Sequence, residues 1–107
     1  MSGLGDMGNL LKQAQEMQRQ IDRVKNELRS RVVTGRAGGG LVRVEISADR
    51  LDVKGVEIAV EIHESHRPEE LNELVVTALQ DALRQARDIE KDSIGQVTGG
   101  MQLPGLF

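Results

Sequence analysis

A narrow apolar seam runs through the first third of the chain and limits what it can fold into. Leu10, Ala14, Met17, Ile21, Val24 and Leu28 are separated by 4, 3, 4, 3 and 4 residues. That alternation is the seam of a coiled coil, narrower than the stripe of a globular surface helix. Gln, Lys, Glu and Arg, all good helix formers, fill most of the positions between. Asn9 suits a helix N-cap, so the pattern predicts a helix from about residue 9 to about residue 29. Residues 1–8, with three glycines, are expected to be a loose tail. So thin a stripe needs a second helix to cover it, and the six seam residues are the expected dimer interface.

Composition strengthens the case for association. A chain of 107 residues is a single domain, and it has no Cys, no Trp, no Tyr and one Phe, Phe107. Disulfides and thiolate ligands are excluded, and the core must be built from aliphatic side chains and Met. A small core of that kind gains most from burying further surface against a second copy. No stretch reaches the roughly 20 apolar residues of a membrane span. Met1 to Asn9 lacks the basic-then-apolar pattern of a secretory signal, so the expected compartment is the cytoplasm.

Beyond the first helix the periodicity changes to two. Ser30–Thr34 reads as a short strand, Gly35–Gly40 as a turn, Leu41–Ser47 as an alternating strand and Ala48–Arg50 as a second turn. Leu51–Ile62 alternates again, with Val56, Ile58, Val60 and Ile62 on one face. The expected product is a three-stranded antiparallel meander with one buried face. His63–Arg67 is a polar connection, and Pro68 with Glu69 and Glu70 opens a second helix. A wide stripe from Leu71 to Ile89 carries that helix to about residue 93, with Gly95 as its stop. Residues 96–107 read as an irregular end whose Met101, Leu103, Leu106 and Phe107 are either loose or cover apolar surface. The fold class is α+β, in the order α-β-β-β-α, with two long helices flanking the sheet.

Few residues are suited to catalysis. His63 and His66 are the only histidines, and their separation of three in a connector fixes no metal geometry. The glycines at 35–40 lack the Lys-Ser/Thr pair of a phosphate-binding loop and do not lead into a helix. No catalytic residue, metal site or cofactor is expected. The net charge is −3, yet residues 1–40 hold seven bases against four acids, so a polyanion would be drawn to that region. In heptad terms Lys12 and Arg19 fall farthest from the seam, with Arg23 beside them. On the second helix Arg84, Arg87 and Lys91 point about 180° away from the apolar stripe. Each helix therefore presents a basic outer row suited to phosphate oxygens. The same rows also fit an ordinary solvated face, since Glu16 is within reach of Lys12 and Arg19, and Asp88 lies four residues after Arg84.

Three segments carry a family resemblance. Leu10-Leu11-Lys12-Gln13-Ala14-Gln15-Glu16-Met17-Gln18, Val33-Thr34-Gly35-Arg36-Ala37-Gly38-Gly39-Gly40-Leu41-Val42 and Thr98-Gly99-Gly100-Met101-Gln102-Leu103-Pro104-Gly105 resemble the opening helix, glycine hairpin and closing segment of the YbaB/EbfC family. The resemblance covers nearly the whole chain. It implies a tweezer-like homodimer that binds double-stranded DNA in the bacterial nucleoid, has no enzymatic activity, and has a link to recombination. Backbone binding with weak sequence selectivity is expected, with Lys12, Arg19, Arg23, Arg84, Arg87 and Lys91 as contacts. A second class stays open: an adaptor for recombination or replication proteins that uses the coiled helix and the apolar end.

Overall fold

A computed structural model describes residues 3–99. The elements are α1 (Gly3–Ser30), β1 (Val32–Ala37), β2 (Val42–Ser47), β3 (Val53–Ile58), α2 (Glu61–Ser65) and α3 (Pro68–Thr98). The order α-β-β-β-α is as expected, with a short helix added between β3 and α3. α1 starts at Gly3, six residues before Asn9. Once a helix is nucleated, each added residue gains a hydrogen bond for its lost freedom, so propagation continues through poor formers. Residues 100–107, and with them Met101, Leu103, Leu106 and Phe107, lie outside the described residues.

The sheet is antiparallel throughout, in the order β1-β2-β3. Gly35 departs from the sequence reading: β1 runs through it to Ala37, and the turn contracts to Gly38-Gly39-Gly40. All three turn glycines have positive φ, at 64°, 67° and 91°, a region that glycine enters at no steric cost. Gly35 serves a different purpose. A Cβ there would overlap the Ala78 carbonyl oxygen and lie 2.5 Å from Ala82 N. The glycine lets β1 and α3 meet backbone to backbone. Ala78, Ala82 and Ala86 are fully buried along that contact, which explains the small residues on the α3 stripe.

Around this contact Val33, Val42, Val44, Ile46 and Leu28 form the core. β1 is an edge strand, and α3 covers that edge with side chains. Asp81 Oδ2 accepts the Arg36 N–H at 3.0 Å, and Gln85 Nε2 donates to Thr34 O at 3.0 Å. Two backbone groups that would otherwise invite another strand are thereby satisfied.

β3 is the opposite edge and fares differently. Val56 pairs with Val44 and Ile58 with Val42, so both lie on the core side of the sheet, as the alternation predicts. α3, however, packs over β1 and β2, and Val56 and Ile58 remain 50% and 36% exposed. The strand also ends earlier than expected. Val60 is exposed, and Ile62 is buried from α2 rather than from β3. At the far end α3 passes Gly95 and stops at Gly99, whose φ is 66° and whose N–H bonds to Gly95 O. The additional turn is anchored by Ile94 and Thr98, both buried.

The radius of gyration is 20.1 Å, where a compact chain of this length has about 13 Å. Two long helices, α1 of 28 residues and α3 of 31, extend the molecule. Residues 7–16 are exposed on every side, and only the C-terminal half of α1 packs on the rest. Gly3 to Arg19 thus projects as an arm of about 24 Å at the usual helical rise.

Gly35→Ala should destabilise the fold by about 3 kcal/mol, because the added methyl meets backbone that cannot rotate away. Urea unfolding followed by circular dichroism measures it, and Gly8→Ala on the open arm, where nothing lies within 4 Å, should be neutral or stabilising.

Candidate nucleic-acid interface

The seam of α1 divides into two halves. Ile21 and Leu28 are each 3% exposed within the single chain, and Val24 packs partly against the core. Of these three, the two buried residues belong to the chain's own packing, with α3 acting as the second helix. Met17 is half-buried, while Leu10 and Ala14 are exposed on the arm. The seam surface left open therefore lies N-terminal to Met17.

Lys12 and Arg19 stand on that arm, fully accessible. Arg19 reaches Glu16 Oε2 at 3.1 Å, an exposed pair of the kind worth little in water and readily exchanged. Arg23 is at the inner end, where Gln20, Val24 and Glu27 of α1 face Ser93, Gln96 and Val97 of α3 across a groove of about 460 Å³.

On α3, Arg84, Arg87 and Lys91 are all exposed. Arg84 bonds Asp81 Oδ1 at 2.7 Å, the carboxylate that also caps the β1 edge. Arg87 and Lys91 share a hollow of about 170 Å³ with Glu90 and Arg50. The structure thus brings Arg87 and Lys91 together and leaves the α1 row on a separate surface of the single chain. Arg50 is the cation that periodicity missed. It belongs to no helical row, and the fold carries it to α3 by way of the β2–β3 turn.

That turn is rigidly tied. Ser47 is fully buried; its hydroxyl donates to Asp49 Oδ1 at 2.5 Å and accepts the Asp52 N–H at 3.0 Å. Asp49 Oδ1 also accepts the Leu51 N–H at 3.0 Å. These bonds, led by the Ser47 hydroxyl, hold the Asp49 carboxyl below its ordinary range despite partial desolvation. The Asp81 carboxyl is likewise held low, first by the Arg36 N–H and then by Gln85 and Arg84. His66 Nδ1 lies 2.8 Å from Ser65 Oγ, while the His63 side chain lies outside the described atoms. Among the described residues no three His, Asp or Glu side chains are grouped to hold a metal ion, and no helix is long and apolar enough to cross a membrane.

The exposed cations thus stand on two long helices, in two groups on separate surfaces of the single chain. The chain belongs to the YbaB/EbfC DNA-binding family, whose family model matches residues 3–101. It is 40% identical over 104 residues to a protein of Acetivibrio thermocellus named a nucleoid-associated protein, covering 96% of this chain and 91% of the relative. A nucleoid-associated protein of Alkaliphilus metalliredigens is 36% identical over 107 residues, covering 100% and 93%. The fold is shared with the crystal structure of an uncharacterized protein of Helicobacter pylori, with a TM-score of 0.70 and 18% identity over 92% of this chain and 100% of that one.

The lowered carboxyls make stability depend on acidity. A carboxyl whose pKa falls on folding stabilises the native state fully above its unfolded pKa, here 3.8. That contribution is lost as pH falls through the lower folded value. Asp81→Asn should therefore flatten the acid limb of a plot of stability against pH, and urea midpoints measured from neutral pH to about pH 2 will report it.

Proposed function

We propose that this chain is a nucleoid-associated protein that binds duplex DNA as a homodimer, through phosphate contacts with weak sequence selectivity and without catalysing a reaction. The observation that carries the reading is the set of exposed cations on α1 and α3 in a chain of this family. Lys12, Arg19, Arg23, Arg84, Arg87 and Lys91 are all accessible, and the ion pairs of Arg19 and Arg84 join neighbours on the same helix. A phosphate can displace such a pair at little cost. The net charge of −3 does not prevent contact, because charges beyond about 10 Å are screened at ordinary salt. Phosphates carry no base identity, so contacts of this kind position the protein without reading sequence. The site of action is then the cytoplasm, at the nucleoid.

The second copy is assigned to the β3 side of the sheet. Val53, Val56 and Ile58 continue the core face beyond α3 and are exposed, with Leu51 and Val60 beside them. An unpaired edge carrying apolar side chains invites strand pairing or aggregation unless it is covered, and a two-fold copy covers it with the same surface. The exposed part of the α1 seam, Leu10 and Ala14, supplies a further apolar strip. Recombination or replication proteins are partners under the adaptor reading, which the apolar arm favours and the DNA experiment decides.

Arg19→Glu with Arg23→Glu should weaken binding to unrelated duplexes alike and lower the slope of log K against log salt by about one unit for each contact removed. Arg43→Glu with Lys54→Glu on the sheet should matter less. Loss of binding in the sheet variant alone, with the dimer intact by sedimentation equilibrium, assigns the contact to the other face. Absence of any wild-type binding at low salt leaves the adaptor. For the dimer, Val56→Asp should shift sedimentation equilibrium toward monomer at micromolar concentration, since it places a charge on the covered face. A wild-type protein that is monomeric there refutes the assembly.

A further inference from the structure

Arg50 is the only non-glycine among the described residues with positive φ, at 67°. It occupies the left-handed position that closes the β2–β3 turn, where its N–H bonds to Ser47 O at 2.9 Å. Glycine or asparagine fits such a position without strain, whereas a longer L-residue there costs about 1 kcal/mol or more. Such a position directs attention to what its side chain reaches. The Arg50 side chain leaves the turn and crosses to α3, where Nη2 meets Glu90 Oε2 at 3.1 Å. The two side chains are 33% and 20% exposed, so this surface pair is less open than the pairs made by Arg19 and Arg84. Arg87 and Lys91 border the same hollow, chiefly through the apolar stems of their side chains, so three basic residues and one carboxylate share its rim.

We propose that this hollow is a phosphate seat in the DNA-contacting surface, with Arg50 as its donor from the sheet side. The inference rests on the DNA-binding reading and adds a residue, a location and a mechanism to it. The Ser47–Asp49–Asp52 bonds fix the turn, so the guanidinium is presented from a rigid base. Its planar fork can take two oxygens of one phosphate. Arg87 and Lys91 approach the same anion from α3. Glu90 holds Arg50 at the hollow in the unbound protein and is the group that the incoming phosphate displaces from it. The turn, a part of the chain with no helical periodicity, thereby extends the α3 row onto the sheet.

The test separates a phosphate donor from a structural tie. Arg50→Gly removes the guanidinium and relieves the backbone strain together. It should keep or raise the melting temperature, weaken binding to a mixed-sequence duplex roughly fivefold at about 0.1 M salt, and lower the salt slope by about one unit per protomer. Glu90→Gln removes the competing carboxylate and should tighten binding. If Arg50→Gly binds with wild-type affinity and slope, the seat does not exist and the Arg50–Glu90 pair only ties the turn to α3, whatever happens to the melting temperature. Wild-type protein that binds DNA beside an indifferent Arg50→Gly overturns this inference alone. Wild-type protein that binds no duplex overturns it together with the broader function.

Discussion

Everything in the fold is arranged around one approach: the backbone of β1 at Gly35 lies against the backbone of α3 at Ala78 and Ala82. Two backbones can come so close only where one residue has no Cβ and its neighbours have nothing beyond one. The alanine face of α3 follows from that contact. So does the position of α3 over β1 and β2, which puts Asp81 and Gln85 within reach of the β1 edge. Drawing α3 to one side leaves β3 open at the other. One sheet edge is thus closed by side chains and the other is left with exposed apolar groups.

The same approach orders the charged residues. With Ala78, Ala82 and Ala86 held inward, Arg84, Arg87 and Lys91 must face out, because a helix cannot turn one stripe in without turning the opposite one away. Beyond the sheet α3 continues for a further turn through Ile94 and Thr98, and there α1 lies alongside it, with Gln20 to Glu27 facing Ser93 to Val97. The basic surface of α3 and the position of α1 both depend on where α3 is anchored.

Much of this was legible in the sequence. Alternation located the strands, and the helical stripes correctly separated the inward apolar residues of α3 from its outward cations. Periodicity reports which face of an element is buried, but it does not report what buries it. The four-three spacing of α1 required a helical neighbour without saying that Ile21 and Leu28 would find theirs in the same chain. The alternation of β3 put Val56 and Ile58 on the inner face of the sheet, yet could not reveal that α3 stops short of them. Glycine has two uses, positive φ and close approach, and the run from 35 to 40 contains both. Read as one turn, it concealed the residue on which the packing depends. Arg50 was hidden for a related reason: a residue in a turn has no period, and its distance from α3 is set by tertiary structure.

The free arm of α1 has a consequence for how the molecule behaves in time. From Met7 to Glu16 no neighbour shields the helix, so its hydrogen bonds compete directly with water and its order rests on local propensity. A lone helix of this length is marginal in water, and the glycines at its start weaken it further. Amide exchange should therefore be graded along a single continuous helix, slow where Ile21 and Leu28 are enclosed and fast toward Gly3. In a single chain the reach of Lys12 would then average over partly unwound states, whereas a second copy that covered Leu10 and Ala14 would fix it.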